Sequence, residues 1–358
     1  MKAKIIGISL IISTINPINA QLQKVAISNT VWNGVTTSSE GRIFVNFPRI
    51  EGDKGMRIGE VLKNGEIIPY PNKNWNDWEI GKDVSEKFVR TNSLRIESDG
   101  LLWIVDTGTA SMGQNPLSGN AAKLVSIDLN TNQIAQVIPL DKVSKTTTFI
   151  DDLRISGNTI YLTDAGEPAL IVLDKNTGKG RRVLENQPST TDNIPIKAEG
   201  EIMKDNEGKD VHIHADQLEI SPDGKWLYFQ PVSGPMWKVE TKDLNNENLT
   251  ENQLSTKVSL FHKTPSTGGT AIDADGNIYI SDIDKKQIIK ITPDGKESLV
   301  IKDDKLLWAD ALWIDDDGYL WIPVGQLNRL AAFQKGMTKV KFPVTIYKMK
   351  IGAKPTRN

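Results

Sequence analysis

Six times along the chain, a stretch of alternating apolar and polar residues leads into a turn and returns as a second apolar-rich stretch. The copies are residues 35–41 before 43–45, 94–100 before 102–106, 153–158 before 160–164, 218–224 before 226–229, 271–276 before 278–280, and 312–318 before 320–322. Five of the turns carry glycine as their last residue, while the third copy ends in Gly157-Asn158. Period-two alternation on both sides of such a turn predicts a β-hairpin.

Further apolar segments follow most of the hairpins, as at residues 123–127, 170–173 and 288–291. Three or four antiparallel strands per unit and six units predict an all-β fold, a six-bladed β-propeller. A stacked array of β-sandwiches is the alternative, but β-sandwiches rarely repeat one strand-turn-strand sequence pattern so closely. Both ends of the repeat region look like strands, so we expect an N-terminal strand to complete the last blade and protect its edge.

The first twenty residues have the pattern of a signal peptide rather than of the fold. Lys2 and Lys4 precede an apolar run over residues 5–12, and the stretch ends in a small residue, Ala20. We therefore predict a signal peptide at 1–20, a single domain at 21–358, and a secreted or periplasmic protein. Nothing later in the chain reaches the roughly eighteen consecutive apolar residues of a membrane helix, so we expect no membrane span.

Composition removes several classes of function. The absence of cysteine excludes thiol catalysis and thiolate metal sites, and leaves stability to an apolar core. The 43 basic and 45 acidic residues nearly cancel and form no basic stripe, so we expect no nucleic-acid partner. We also expect no organic cofactor, a small-molecule ligand as the partner, and an oligomeric state that the sequence leaves open.

One position, four residues before the middle of the first strand of each hairpin, is almost always Asn or Asp. The residues there are Asn33, Asn92, Asp151, Asp216, Gly268 and Asp310. If each blade places its innermost strand at this point, the five Asn and Asp side chains converge on the channel axis. Clustered carboxylate and amide oxygens suit a hard divalent cation, and Ca²⁺ is the predicted one. The alternative is that these residues only form Asx turns at strand starts.

Two positions further upstream, a second ring mixes a cation, aromatic walls and an imidazole. Its members are Val31, Arg90, Phe149, His214, Ser266 and Trp308. We predict that Arg90, Phe149, His214 and Trp308 bind a small polar or aromatic ligand above the first ring. The alternative is that Phe149 and Trp308 pack under loops.

His212, His214 and Asp216 form a His-x-His-x-Asp run. Zinc is one interpretation, but the chain's only other histidine is His262, far along the sequence. A general base at His214, acting with Asp216, is the interpretation we favour, and these two are the predicted catalytic residues.

Several motifs resemble the yellow/major royal jelly protein family. They lie at residues 41–49, 71–76, 93–96, 102–108, 151–155, 169–174 and 307–310. The resemblance implies a six-bladed propeller, and family members are associated with dopachrome conversion, binding of biogenic amines, or nutrition. Insect members usually have disulfides, so a cysteine-free chain suggests a bacterial branch.

More distantly, the chain is similar to gluconolactonase and regucalcin propellers, whose Glu, Asn and Asp ligands hold a divalent cation for lactone hydrolysis. Asn33-Gly34-Val35 stands where those proteins have Glu-Gly-Pro.

Three hypotheses follow. The leading one is a protein that binds, and by extension isomerises, a small aromatic or cyclic molecule at the channel mouth. The second is a metal-dependent lactonase in which Asp151, Asp216 and Asp310 hold the cation. The third is a non-catalytic interaction platform, which requires an exposed apolar patch.

Overall fold

The six hairpin units fold as six four-stranded antiparallel sheets arranged around one axis, which confirms the predicted six-bladed propeller. The computed structural model describes residues 21–50, 54–111 and 113–356. The predicted signal peptide at residues 1–20 lies outside the described residues. No helix among the described residues is long and apolar enough to cross a membrane.

The strands are short and follow one another with few helical interruptions. They are β1 (Gln23–Ser28), β2 (Gly34–Thr37), β3 (Ile43–Asn46), β4 (Ile58–Val61), β5 (Ile67–Pro69), β6 (Thr91–Ile96), β7 (Leu101–Asp106), β8 (Lys123–Asp128), β9 (Gln133–Pro139), β10 (Ile150–Ser156), β11 (Thr159–Asp164), β12 (Ala169–Asp174), β13 (Gly180–Val183), β14 (Lys197–Ala198), β15 (Glu201–Ile202), β16 (Ala215–Ile220), β17 (Trp226–Pro231), β18 (Met236–Glu240), β19 (Ser259–His262), β20 (Thr270–Ile272), β21 (Ile278–Asp282), β22 (Gln287–Ile291), β23 (Glu297–Lys302), β24 (Trp313–Ile314), β25 (Tyr319–Val324) and β26 (Val344–Lys350). The helices are α1 (Lys73–Asn76), α2 (Thr241–Leu244) and α3 (Glu251–Ser255), with 3₁₀ turns at Leu327–Arg329 and Ala331–Phe333.

Blades 1 to 5 are each continuous in sequence. They consist of β2–β5, β6–β9, β10–β13, β16–β19 and β20–β23, while β14 and β15 pair as a separate hairpin in the loop before blade 4. In the hairpin between β6 and β7, Gly100 has φ 74°, a conformation that a side chain disfavours. The Asp99 carboxylate accepts a hydrogen bond from the Leu101 amide across that turn. The Asp-Gly pair therefore sets the turn, as the sequence pattern predicted.

Blade 6 is closed by the N-terminal strand. Its order is β24, β25, β26 and β1, so β1 pairs antiparallel with β26 and forms the outer edge. Ala26 in β1 is 7% exposed and pairs with Ile346, whereas Ile27 is 45% exposed on the opposite face. The two ends of the propeller are thus held in one sheet, as expected from the sequence.

Apolar side chains between neighbouring blades form the core. Trp103 of blade 2 is fully buried and packs in one cluster with Leu153 and Ile171 of blade 3. Burial of such a side chain stabilises the fold by about 1.5–3 kcal/mol. Because every blade packs against two others, the positions of the innermost strands around the axis are fixed.

The first strands of blades 2, 3 and 4 share an irregularity close to the axis. The pairing register shifts between Thr91 and Ser93 in β6, between Ile150 and Leu153 in β10, and between Ala215 and Gln217 in β16. β-Bulges of this kind redirect the side chain of the extra residue.

Further down the same inner strands, the channel is filled by buried ion pairs. Arg154 binds the Asp152 carboxylate at 2.7 Å and the Glu219 carboxylate at 2.8 Å, and Thr270 donates a further hydrogen bond to Glu219. The Arg95 guanidinium lies 3.6 Å from Glu219. A small cavity of about 40 Å³ lies against these residues. This ion-pair layer closes the channel beneath the mouth.

Candidate functional site

A cavity of about 370 Å³ opens at the mouth of the channel where the innermost strands begin. Its floor contains Asn33, Asn92, Asp151, Asp216, Gln217, Gly268 and Asp310. Its walls come from Arg90, Phe149 and Trp308, and from loop residues that include Ile50, Met203, Ile213, Val232, Leu327 and Phe333. The cavity therefore combines a polar floor with a largely apolar wall, as small-molecule sites do.

All five Asn and Asp residues of the predicted axial ring line this cavity. Hydrogen bonds join successive members: the Asn33 amide donates to the Asn92 carbonyl at 2.9 Å, and the Asn92 amide donates to the Asp151 carboxylate at 2.9 Å. The bulges in β6, β10 and β16 fall at Asn92, Asp151 and Asp216, which explains why these three side chains reach the axis. The sixth position, Gly268, contributes backbone only, and its lack of a side chain accommodates the Trp308 indole close by.

Three acids lie on the cavity floor, and their negative charges repel one another. Burial, and then the charge of Asp152, raises the pKa of Asp151 to about 7. Burial and the charges of Asp151 and Asp310 raise the pKa of Asp216 well above its usual value. Burial raises the pKa of Asp310 as well, against the stabilising hydrogen bond from the Ala311 amide. The carboxyl groups of Asp151 and Asp216 interact directly with each other, which favours a proton on one of them.

A hard divalent cation matches the chemistry of these donors, since they are carboxylate and amide oxygens. Among the described residues, however, no group of three or more His, Asp or Glu side chains already stands in an arrangement that could hold a metal ion. A cation at the axis would be held by Asp151, Asp216 and Asp310, with amide oxygens of Asn33 and Asn92 and water completing the shell. The predicted metal site thus stays a prediction.

Arg90, Phe149 and Trp308 of the predicted second ring line the cavity. The Trp308 indole N–H donates to the Asp310 carboxylate at 2.9 Å, so this wall residue is tied to the floor. Trp308 has φ 51°, a left-handed conformation that costs a non-glycine residue about 1–3 kcal/mol and occurs preferentially at functional sites.

The other three members of the second ring, Val31, His214 and Ser266, are absent from the cavity lining. The His214 Nδ1 atom accepts a hydrogen bond from the Asp192 amide at 3.0 Å, and burial lowers the pKa of its imidazole. His212 lines the cavity instead, with its Nδ1 atom 3.6 Å from the Asp192 carboxylate. The structure therefore brings His212 and Asp216, rather than His214 and Asp216, to the same cavity.

Two acids at the ends of second strands hold the backbone of the wall residues. Asp106, the last residue of β7, accepts hydrogen bonds from the Arg90 amide at 2.9 Å, and Asp164, the last residue of β11, accepts from the Phe149 amide at 2.9 Å. Each acid therefore fixes a wall residue from the neighbouring strand of its own blade.

Sequence reasoning missed Gln217 and Asn46. The Asn46 amide donates to the Asn33 side chain at 2.6 Å, and Gln217 follows the bulge residue Asp216 on the floor. The Gln217 Oε1 atom is buried without a hydrogen-bond partner among the described residues. The position of Asn46 at the end of the second strand, where blades 2, 3 and 5 have Asp, was the available signal. Gln217 had no comparable signal.

The fold and the site define a six-bladed propeller with a cavity at one mouth of its channel. The sequence model of the family described as "Major royal jelly protein" matches residues 90–357. The chain belongs to the major royal jelly protein family.

Curated relatives agree with this assignment. Protein yellow of Drosophila yakuba is 24% identical over 276 residues, which cover 71% of this chain and 50% of that protein. Protein yellow of Drosophila madeirensis is 23% identical over 309 residues, 78% of this chain and 53% of that protein. The chain spans about half the length of the curated relatives it matches.

Solved structures share the fold at low sequence identity. A putative gluconolactonase superposes with a TM-score of 0.60 at 11% identity, covering 96% of each chain. A gluconolactonase from Xanthomonas campestris has a TM-score of 0.58 at 13% identity, covering 93% of this chain and 90% of the other. A luciferin-regenerating enzyme has a TM-score of 0.57 at 12% identity, covering 94% and 97%. Both resemblances drawn from the sequence are therefore supported, the second at the level of fold.

Proposed function

We propose that this chain is an exported propeller that binds a small aromatic or cyclic molecule in the cavity at the channel mouth. The observation that carries the proposal is the combination of an aromatic wall, Phe149 and Trp308, with a hydrogen-bonding floor around the axis. A volume of about 370 Å³ is in the range of small-molecule sites. Export rests on the predicted signal peptide at residues 1–20, and mass spectrometry of the protein recovered outside the cytoplasm tests it.

Proton transfer is the chemistry that this floor supplies. Asp151 and Asp216 interact directly, and the pKa of Asp151 is raised to about 7, so this pair can both give and accept a proton near neutral pH. Isomerisation of a cyclic ligand by moving a proton between two of its atoms requires such a pair. The predicted base His214 does not line the cavity, so the acids of the floor are the better candidates.

Replacing Trp308 tests the binding site. We expect Trp308→Ala to weaken binding of a neutral aromatic probe, indole-3-acetamide, by about 1–3 kcal/mol in calorimetry, because a buried ring contact is lost. Trp308→Phe should retain part of that affinity, since it keeps an aromatic face.

Trp226→Ala is the matched control. Trp226 is a half-buried residue of β17 that lies outside the cavity lining, so its loss should leave affinity unchanged. Equal affinity of the wild type and the folded Trp308→Ala variant would remove the proposed site.

A metal-dependent lactonase is the second candidate. The favouring observation is that Asp151, Asp216 and Asp310, from three blades, interact electrostatically at one point on the axis. A cation bound there would polarise a lactone carbonyl and activate water. The floor acids would hold the cation, and the aromatic wall would orient the ring of the substrate. Loss of lactone hydrolysis on chelation, with recovery on addition of Ca²⁺, is the result that this candidate requires.

A further inference from the structure

Arg90 is a buried cation without an acidic partner. Its side chain is 2% exposed, and it forms no ion pair with any carboxylate in the described part of the chain. Its Nε atom donates to the Pro48 carbonyl at 3.0 Å, and its Nη1 atom makes only a 3.5 Å contact with the Thr109 hydroxyl. The Nη2 atom has no hydrogen-bond partner among the described residues.

Other buried cations of the fold are compensated. Lys123 lies 3.2 Å from the Asp106 carboxylate, and Arg154 pairs with both Asp152 and Glu219. Arg57 has no carboxylate but donates to the carbonyls of four residues, Gly55, Asn76, Trp78 and Val89. Arg90 alone of these four leaves a guanidinium nitrogen unsatisfied.

An uncompensated buried guanidinium is unfavourable, because burial removes hydration that no partner replaces. Burial and the nearby Arg49 lower the pKa of Arg90 to about 9, so the group is still charged at neutral pH. An anion bound in the cavity would supply the interaction that Arg90 lacks.

The backbone of Arg90 is held in place by hydrogen bonds within its own blade. Its amide is bound by the Asp106 carboxylate at 2.9 Å, and its carbonyl accepts from the Thr107 amide at 2.9 Å. The guanidinium carbon lies 5.7 Å from the centre of the Phe149 ring, beside the aromatic wall. Arg90 is also the only lysine or arginine among the described residues that line the cavity.

We propose that the ligand of this cavity is a small aromatic or cyclic carboxylate, and that Arg90 receives its carboxylate group. This inference rests on the proposed function and names the chemical class of its ligand. The Nη1 and Nη2 atoms together match the two oxygens of a carboxylate, and a rotation of the Arg90 side chain toward the cavity brings the buried Nη2 atom to the ligand. The acids of the floor repel the carboxylate, so the ligand lies with its acidic end at Arg90 and its ring between Phe149 and Trp308.

A matched pair of probes tests the inference. Indole-3-acetate and indole-3-acetamide have nearly the same shape and differ in charge, and tryptamine carries the opposite charge. By calorimetry at pH 7.5 we expect the wild-type protein to bind the acetate at least tenfold more tightly than the acetamide. Arg90→Met should reduce this ratio to about one, and Arg90→Lys should give an intermediate ratio, because lysine keeps the charge and loses the paired donors.

Arg181→Met is the control, since Arg181 donates to the Leu244 carbonyl and does not line the cavity, and its ratio should equal that of the wild type. If Arg90→Met does not fold, the ratio of acetate to acetamide affinity in the wild type and in Arg90→Lys tests the assignment. A wild-type ratio near one, or an unchanged ratio in folded Arg90→Met, overturns the assignment of Arg90.

The two proposals fail in different ways. Binding of indole-3-acetamide or tryptamine that depends on Trp308, without a preference for the acetate, overturns the carboxylate class and leaves the proposed function standing. Binding of none of the three probes by the folded wild-type protein contradicts both.

Discussion

At the scale of single residues, the main electrostatic feature of the site is the repulsion between the three axial acids. Asp151, Asp216 and Asp310 are held together by strands that also pack the core, so they cannot move apart to relieve their repulsion. Protonation relieves this repulsion, and the pKa of each of the three acids is raised accordingly. Protonation and cation binding are therefore competing ways to stabilise the same group of side chains.

We expect the stability of the protein to fall as pH rises from about 5 to 8. The unfolded chain releases these protons near pH 4, whereas folded Asp151 keeps its proton up to about pH 7, so the folded state binds more protons in between. Asp216→Asn should make the dependence of Tm on pH shallower, because it removes one titrating group and its repulsion. Thermal melts across this pH range are the measurement.

Calcium should act in the opposite sense on the same acids. At pH 8 the carboxylates are more fully ionised, so Ca²⁺ should raise Tm more there than at pH 5. At a hundred times its dissociation constant the ion should contribute about 2.7 kcal/mol. Asp216→Asn should blunt the effect, whereas Asp294→Asn, in an exposed turn and paired with Lys296, should not. Melting curves that chelator and Ca²⁺ leave unmoved at pH 8 would dispose of the metal site.

At the scale of elements, the innermost strands serve two purposes along their length. Their first residues form the floor of the cavity, and residues three positions on, such as Arg95 and Arg154, build the ion-pair layer. A strand rises about 3.3 Å per residue, so the two layers lie about 10 Å apart. Glu219 joins β16 to both neighbouring arginines and to Thr270 of β20.

We expect Glu219→Gln to destabilise the protein by about 3–5 kcal/mol, because it leaves Arg154 and Arg95 buried with less compensation. Chemical denaturation measures this change. Glu207→Gln removes the partner of Lys209 in a pair whose side chains are 72% and 73% exposed, and should cost less than about 1 kcal/mol. Similar losses in the two variants would show that the ion-pair layer adds nothing to stability.

The sequence predicted the strands and their turns well, and the loop residues of the cavity wall poorly. Alternation of apolar residues identifies a hairpin locally, so all six blades and the closing strand were predicted. The positions of Asn92, Asp151 and Asp216 were predicted by register, yet the bulges that direct them inward leave no mark in the pattern.

His214 was assigned to the cavity by assuming extended backbone upstream of the strand. The chain there is an irregular loop bound to Asp192, so the assumption does not hold. Wall residues such as Met203 and Phe333 come from loops without periodicity, and only the packed structure brings them to the mouth.

At the scale of the whole molecule, closure of the ring of blades holds the innermost strands in position around the axis. β1 supplies the fourth strand of blade 6 and covers the edge of β26. The cavity floor takes side chains from blades on all sides of the axis, so a gap between the first and last blades would disturb the site as well as the edge.

Deleting residues 21–31 should therefore lower Tm and reduce ligand affinity together. Within β1, Ala26→Asp should reproduce much of the loss of stability, because Ala26 is buried against the sheet, whereas Ile27→Thr on the exposed face should not. Differential scanning calorimetry of the three variants separates these outcomes. A truncated protein that melts like the full mature chain would rule out a stabilising role for this strand.

The ion-pair layer beneath the floor leaves the cavity a single route to solvent. Arg154 pairs with Asp152 and Glu219 across the channel at that level, so a ring-sized molecule would enter and leave the cavity by the mouth. A bound molecule would have to leave before the next one binds, and exchange of ligands would be sequential.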